Sequence, residues 1–206
     1  KGDRVHPEYR SRLVAKEINR GKREDLFAAT PPLEAKKALF SMAVTEGIGF
    51  RKFHREKGMK LDFIDVKRAY FHAKCKRDVY VQLPKEDSEE GMCGKLNMSM
   101  YGTRDAAQNW AVEYTRTLRA AGFIVGKASP CNFRHATRDL IVTVHGDDFT
   151  VSGPEEELNW LADTLRRRWD VKVNMLGPDT HDDQEVTILN RSIRWTASGL
   201  EYEADQ

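Results

Sequence analysis

The sequence has little cysteine, no long apolar run and almost no net charge. Its three cysteines, Cys75, Cys93 and Cys131, are odd in number and widely spaced, which argues against a disulfide framework and favours a reducing, intracellular compartment. No segment approaches the roughly 20 apolar residues of a membrane span, and the N-terminus lacks the apolar core of a signal peptide. Lys and Arg number 34 against 32 Asp and Glu, a formal charge of +2. This balance excludes a polycationic tail but not a local basic groove.

Several motifs of common enzymes and metal sites are also absent from the sequence. There is no G-x-x-x-x-G-K phosphate loop, which argues against a P-loop nucleotide hydrolase, and no G-x-S-x-G nucleophile turn. The cysteines and histidines lack the paired spacing of zinc ligands. With 206 residues, of which 40% are hydrophobic, the chain is still long enough to bury one sizeable core or two smaller ones. It begins at Lys1 and ends in a polar run, and we expect both ends to be cuts in a longer polypeptide.

Three segments have the periodicity and the end signals of helices. The first follows a Thr-Pro-Pro sequence and ends near Gly47, with Thr30 as the expected cap. The second occupies about 104–122, and the third begins at Pro154 with three glutamates and closes with basic residues. Strand-like runs lie between the helices, and two of them flank the sequence H-G-D-D at 145–148, which predicts a hairpin. Because helices and strands alternate irregularly, we predict an α+β fold with an antiparallel sheet packed on helices.

The most informative feature is the pair Asp147–Asp148 at the predicted hairpin. Adjacent carboxylates repel unless a cation or a proton intervenes. Asp65, which follows the apolar run LDFI, is the candidate for a third carboxylate, and the three together would offer the oxygen ligands that Mg²⁺ prefers. Two such ions can activate a 3′-hydroxyl and stabilise a leaving pyrophosphate. A solvated turn is the commoner setting of an Asp-Asp pair, but the apolar strands on both sides favour a built site.

Three blocks of sequence carry these aspartates or lie between them. They read FIDVKRAYFHAKCKRDVYVQLP, GKLNMSMYGTRDAAQNW and VHGDDFTVSG. In content, order and spacing they resemble the motifs of copia-type retrotransposon reverse transcriptases. The segments YRSRLVAKEINRG, AGFIVGKASPCNF and LADTLRRRWDVKVNMLG are similar to the blocks that flank those motifs in the family. The resemblance extends from about Tyr9 to about Ile193.

The resemblance implies a right-hand polymerase fold within a Pol polyprotein. The fingers would comprise approximately 1–60 and 83–100, and the palm approximately 61–82 and 101–175. Residues 176–206 would begin the connection from palm to thumb. In such a palm Asp65, Asp147 and Asp148 would be the catalytic carboxylates that hold two Mg²⁺ or Mn²⁺ ions.

The resemblance also implies contacts with the incoming nucleotide, for which the candidates are Arg12, Tyr70, Tyr101, Gly102 and Arg104. Tyr70 would be the steric gate that favours deoxynucleotides, although a core aromatic has the same signature. Arg12 would meet the triphosphate from the fingers, although a solvated strand charge fits equally well. Gly102 would let the backbone approach the base pair, or would simply form the turn into the next helix.

Some positions depart from the family pattern. The family has Tyr and an aliphatic residue before the paired aspartates, where this chain has His145 and Gly146 as its primer-contact candidates. His145 is smaller and can be protonated, and Gly146 would loosen a strand that should be stiff. Asp105 stands near the expected template path, where it would repel phosphate. The supporting residues of the site have therefore drifted, which bears on activity more than on fold.

We therefore predict an RNA-directed DNA polymerase (reverse transcriptase) region that adds deoxynucleotides to a primer 3′-end by two-metal catalysis. Its expected partners are an RNA or DNA template–primer, deoxynucleoside triphosphates and the rest of the Pol polyprotein, including integrase and ribonuclease H. The expected location is a cytoplasmic particle or the nucleus. The alternative is a degenerate, inactive remnant of the same fold that at most binds nucleic acid. An unrelated metal-dependent phosphohydrolase would leave the flanking blocks unexplained.

Overall fold

The structure, a computed structural model, describes residues 11, 13–18, 21, 26–52, 58–188 and 190–204. Within these residues the chain forms three α-helices, α1 (Leu33–Ala43), α2 (Ala106–Ala120) and α3 (Glu155–Arg166). The strands are β1 (Met59–Val66), β2 (Tyr80–Val81), β3 (Gly94–Lys95), β4 (Ile124–Val125), β5 (Asn132–His135), β6 (Leu140–His145), β7 (Asp148–Pro154), β8 (Val171–Leu176), β9 (Glu185–Ile188), β10 (Arg191–Thr196) and β11 (Gly199–Ala204). The α+β prediction is confirmed. None of the described helices has the length and apolar character that crossing a bilayer requires.

The chain divides into two compact units. The first comprises Lys1–Phe27 and Tyr70–Trp110, and the second comprises Ala28–Ala69 and Ala111–Gln206. The division into fingers and palm expected from the sequence uses other boundaries and stays a prediction.

The second unit is built on a six-stranded antiparallel sheet. Its strand order is β4-β5-β6-β7-β1-β8, so β1 lies between β7 and β8. Because successive side chains of a strand point to opposite faces, neighbouring residues serve different layers. Phe63 of β1 packs against Phe40 of α1, with ring centroids 6.2 Å apart. On the other face, Phe149 packs against Tyr114 of α2 at 5.9 Å and Trp169 after α3 at 6.1 Å.

A second, three-stranded sheet belongs to the same layer as α1. Its order is β11-β10-β9. The buried cluster that joins it to α1 and the large sheet comprises Phe40, Ala43, Met59, Leu61, Phe63, Leu176, Ile193 and Trp195. Burial of each large apolar side chain contributes roughly 1.5–3 kcal/mol. The face of β1 that carries Leu61 and Phe63 is therefore held firmly, and Asp65 lies on that same face.

The three predicted helices are present, with corrections at both ends of α1, which ends at Ala43 rather than near Gly47. Its N-cap is Pro32, in extended conformation, and no side chain caps the helix, so the expectation that Thr30 is the cap is wrong. Proline has no N–H and a fixed φ near −65°, so it can enter a helix without a capping side chain. Helix α3 follows Pro154 and carries three glutamates in its first turn, as expected.

Candidate active site

The predicted hairpin at H-G-D-D is confirmed as the connection between β6 and β7. His145 and Asp148 are cross-strand partners, so Gly146 and Asp147 form the two-residue turn. Gly146 has φ +65°, in the left-handed region where glycine meets no steric cost. Gly146 thus forms the turn itself, and the expected loosening of a strand at this position does not apply. Its assignment as a primer contact stays a prediction.

The register of the sheet brings the three predicted aspartates to one end of it. Asp65 of β1 and Asp148 of β7 are cross-strand partners. Such partners have Cα atoms about 4.5–5.5 Å apart and side chains on the same face. The carbonyl of Asp147 accepts a hydrogen bond from the N–H of Val66 at 3.0 Å, which ties the turn to the end of β1. Residues that are far apart in the sequence therefore meet at a single place.

Asp65 is the one exposed residue of β1, whose other seven residues are all buried. It lines a cavity of about 260 Å³ together with Asp148, Lys172, Asn174 and residues 186–188 of β9. The cavity has acidic, basic and amide side chains on its walls, all of which belong to the second unit. A polar, open end on an otherwise buried strand is typical of a site built for a ligand.

Burial and the neighbouring negative charges both act on the pKa values of the aspartates. Burial raises the pKa of Asp148 to about 6, and the charge of Asp147 adds to the effect. Burial and the charge of Asp147 also raise the pKa of Asp65. Like charges disfavour each other's ionised form, and a divalent cation between them would remove that repulsion. The donor set therefore fits a divalent metal ion.

Three lysines surround the aspartates in the second unit. Lys172 of β8 is the cross-strand partner of Asp65 on its other side. Lys67 forms an exposed ion pair with Asp170 at 3.1 Å. Lys36 of α1 is buried, and its Nζ has no hydrogen-bond partner among the described residues. Sequence reasoning missed Lys36, although its four-residue spacing from the apolar Phe40 placed it on the buried face of α1.

His145 lies beside this group, and its pKa is lowered. Burial is the main cause, and the charge of Lys36 adds to it. The protonated form considered from the sequence is therefore disfavoured relative to that of a free histidine.

A tighter group of ligand atoms lies elsewhere in the second unit. One ligand atom each from Glu155, Asp179 and His181 lies within 4.8 Å of the others. In the described part of the chain no other group of three meets this distance, and the three predicted aspartates do not meet it either. The group already holds a cation, since Lys60 Nζ lies 2.7 Å from Glu155, 2.7 Å from Asp179 and 2.8 Å from Asp182. Ion pairing with a buried lysine therefore accounts for this acidic cluster. The carboxylates of the three predicted aspartates are spaced more widely than the ligand atoms of this group.

The predicted nucleotide-binding residues that the structure describes all belong to the first unit. The rings of Tyr70 and Tyr101 lie 4.4 Å apart at 32°, and Phe71 meets Tyr101 edge-on at 5.7 Å. Gly102 has φ +90°, and a Cβ there would lie 1.8 Å from the carbonyl oxygen of Ala15. This close approach requires glycine. Arg12 lies outside the described residues.

Two neighbouring charged residues of the first unit are held by protein groups. The N–H of Arg104 donates to Glu17 at 2.8 Å, and its guanidinium donates to the carbonyl of Gly21 at 3.0 Å. Asp105 is buried and accepts hydrogen bonds from Arg77 at 3.0 Å and Asn109 at 3.2 Å. Since its charge is paired and removed from solvent, the expectation that Asp105 repels template phosphate does not hold.

Comparisons with known proteins agree with this architecture. The Retrovirus-related Pol polyprotein from transposon TNT 1-94 of Nicotiana tabacum is 23% identical over an alignment of 187 residues that covers 86% of this chain. The chain spans only 13% of the length of that relative. Apo telomerase from Candida tropicalis, truncated from the C-terminal domain, matches with a TM-score of 0.50 and 10% identity, over 85% of this chain and 40% of that one. This likeness shows the polymerase fold.

The sequence pattern of a known family extends over most of the chain. The model for the family described as "Reverse transcriptase (RNA-dependent DNA polymerase)" matches residues 1–178. These residues include all of β1 and β7, which carry the cross-strand aspartates, and the turn between β6 and β7. The chain belongs to the reverse transcriptase family.

Proposed function

We propose that this chain is the polymerase region of a copia-type Pol polyprotein and adds deoxynucleotides to a primer 3′-end on an RNA template. The observation that carries the proposal is the cross-strand pair of Asp65 and Asp148, with Asp147 in the adjoining turn. It places three carboxylates at one end of a polymerase sheet, in a chain whose family is that of reverse transcriptases.

Asp65, Asp147 and Asp148 would hold two Mg²⁺ or Mn²⁺ ions. When bound, the ions supply activation of the 3′-hydroxyl and neutralise the charge that develops on the leaving pyrophosphate. The chain itself fixes the carboxylates in space through the β1–β7 register and the bond from Val66 to Asp147. Because the pKa of Asp148 is raised to about 6, protons compete with cations for this carboxylate in weak acid.

The first unit would bind the incoming nucleotide and the template. The tilted, closely packed rings of Tyr70 and Tyr101 are both half-buried, so their accessible parts would offer aromatic surface to a sugar or a base. The glycine-only contact between Gly102 and Ala15 fixes the backbone beside Tyr101. Arg104 would add a positive charge for phosphate, and Arg12 would add another from the fingers. The partners would be template–primer, deoxynucleoside triphosphates, integrase and ribonuclease H, in a cytoplasmic particle or the nucleus.

Primer extension tests this proposal. A Pol polyprotein segment that contains this region and continues downstream is assayed on an RNA template with a DNA primer, in Mg²⁺ and in Mn²⁺. We expect extension by the wild type and a loss of about 100-fold or more in Asp147→Asn, because removal of one metal-binding carboxylate removes much of the charge stabilisation. Asp163→Asn, an exposed change on α3, is the matched control and should leave extension intact.

Absence of extension by the wild type under both metals would overturn the proposed activity. The degenerate remnant of the same fold would then be the account to keep. Nucleic-acid binding without extension would describe that remnant further.

A further inference from the structure

Lys36 is a charged residue at a buried position of α1, which is unusual. Its side chain is only 4% exposed, and its Nζ has no hydrogen-bond partner within the described residues. Burial of an unpaired ammonium group is costly, and buried polar groups are nearly always paired. Lys60, the other deeply buried lysine of the second unit, shows the usual solution, with three carboxylates around its ammonium group. The free-energy cost of burying the ammonium group of Lys36 must therefore be offset by an interaction other than a hydrogen bond.

The position of Lys36 follows from helix and strand geometry. Lys36 and Phe40 are four residues apart on α1, so they share one face of the helix. Phe40 packs against Phe63 of β1. Phe63 is two residues before Asp65, so both point to the same face of the sheet. Lys36 therefore lies over the face that carries Asp65 and its partner Asp148.

The electrostatics agree with this placement. Burial lowers the pKa of Lys36, and the charge of Asp148 opposes that shift; burial and the charge of Asp147 raise the pKa of Asp148, and the charge of Lys36 opposes that shift in turn. Lys36 also disfavours the protonated form of His145. At Asp65, the basic neighbours that act are Lys172 and Lys67 instead. Each end of the aspartate group thus has its own lysine, and the one near Asp148 is buried.

We propose that Lys36 is the resident cation of the aspartate cluster and sets how tightly that cluster binds divalent ions. Its fixed charge offsets Asp148 in the metal-free protein, so the strands that carry the aspartates stay paired before an ion arrives. The same charge repels a divalent ion and weakens its binding. The inference rests on the proposed function, since it takes the three aspartates as the metal ligands.

Calorimetric titration with Mn²⁺ tests this proposal in the whole chain. The variants are Lys36→Met and Lys36→Gln, which remove the charge, and Lys36→Arg, which keeps it. Lys37→Met is the matched control, because Lys37 is the next residue of α1 and is exposed. Binding that survives Asp147→Asn belongs to other groups, such as Glu155, Asp179 and His181, and is subtracted.

We expect both neutral variants to bind Mn²⁺ about tenfold more tightly than the wild type, the size of effect that one neighbouring charge has on a carboxylate. Lys36→Arg and Lys37→Met should match the wild type. The rise in Tm that Mn²⁺ produces should be larger in the neutral variants. If both neutral variants bind Mn²⁺ no more tightly than the wild type, the proposal is overturned.

Two further outcomes separate the possible failures. Circular dichroism shows whether a neutral variant is folded. If such a variant is unfolded without metal, it must fold when Mn²⁺ is added, because the ion replaces the lost charge. If it stays unfolded with Mn²⁺, the charge of Lys36 is not what the cluster needs, and the proposal is overturned. If the wild type itself shows no Mn²⁺ binding that depends on Asp147, the proposed function loses its metal site, which is a different failure.

Discussion

Asp65 of β1 pairs directly with Asp148 of β7 across the antiparallel sheet. A slip of one residue in this register would move one carboxylate to the opposite face. The register is fixed by the buried partners on each side of the pair, among them Phe63 and Ile64 of β1 and Phe149 of β7. Packing of the sheet thus creates the acidic site and holds it against the repulsion of its own charges.

Neutralising Asp148 should stabilise the metal-free protein while it removes the proposed activity. The folded-state pKa of Asp148 is raised to about 6, so its stabilising contribution is present below pH 4 and is lost as the pH rises through 6. We expect Asp148→Asn to be about 1–2 kcal/mol more stable than the wild type at pH 8, after a discount for solvent screening of a half-buried group. Urea unfolding without divalent ions measures this difference. Equal stability at pH 8 would contradict the raised pKa of Asp148.

Asp62 should make stability depend on pH. It lies in the middle of β1, fully buried, and neither carboxylate oxygen has a hydrogen-bond partner in the described chain. Burial raises its pKa to about 7, so the native state holds the proton and stability falls as the pH rises from about 4 through 7.

The substitution Asp62→Asn removes that titration. We expect Asp62 to account for about 2–3 kcal/mol of the stability that the wild type loses between pH 5 and pH 8, and the variant to lose that much less. Unfolding by urea at the two pH values gives both numbers. Asp87→Asn, an exposed change, is the control and should follow the wild type. A variant that follows the wild type would show that Asp62 does not titrate in this range.

Lys60 should be far more important for stability than a surface lysine. Its ammonium lies among Glu155, Asp179 and Asp182, and Lys60→Met would leave these carboxylates without their cation. We expect a loss of about 3–5 kcal/mol, as for other buried pairs that lose one partner. Lys67→Met, which removes an exposed ion pair with Asp170, should cost at most about 1 kcal/mol. Similar midpoints of urea unfolding for the two variants would show that the cluster is solvated.

Gly102 and Gly146 both have positive φ, but their surroundings predict different costs of substitution. In Gly146→Ala the new Cβ meets no atom within 4 Å, so only the backbone is strained, by about 1–2 kcal/mol. In Gly102→Ala the Cβ would overlap the carbonyl of Ala15, so the backbone must move as well. The amide of Ala15 donates to Tyr101 at 2.8 Å, and its hydrogen exchange should accelerate in Gly102→Ala only. Unchanged exchange in that variant would contradict the close approach.

The parts of the fold that depend on local signals could be predicted from the sequence. Helix α3 follows from its proline, its acidic first turn and its apolar spacing, and the hairpin follows from two apolar strands around a glycine. The cap at Thr30 was wrong because Pro32 already starts the helix. The three aspartates could be named from the motifs, but their convergence depends on pairing between strands far apart in the sequence.

Interactions between distant residues could not be predicted in this way. From the sequence, Asp105 was expected to expose its charge to the template. In the structure Arg77 neutralises this charge, and the two residues are too far apart in the sequence for a local pattern to pair them. Lys60 and Asp62 alternate with apolar residues in β1. From the sequence alone, this alternation does not reveal that both faces of the strand are buried. Their electrostatic effects depend on α3 and on the turn at 179–182, which only the folded chain brings together.

The position of bound Mn²⁺ tests the central claim most directly. Crystals of the chain grown with Mn²⁺ would show each ion as a peak of anomalous scattering. The account predicts peaks beside the carboxylates of Asp65, Asp147 and Asp148, two of them about 4 Å apart once substrate is present. Peaks confined to Glu155, Asp179 and His181, or no peak at the three aspartates at saturating Mn²⁺, would contradict it.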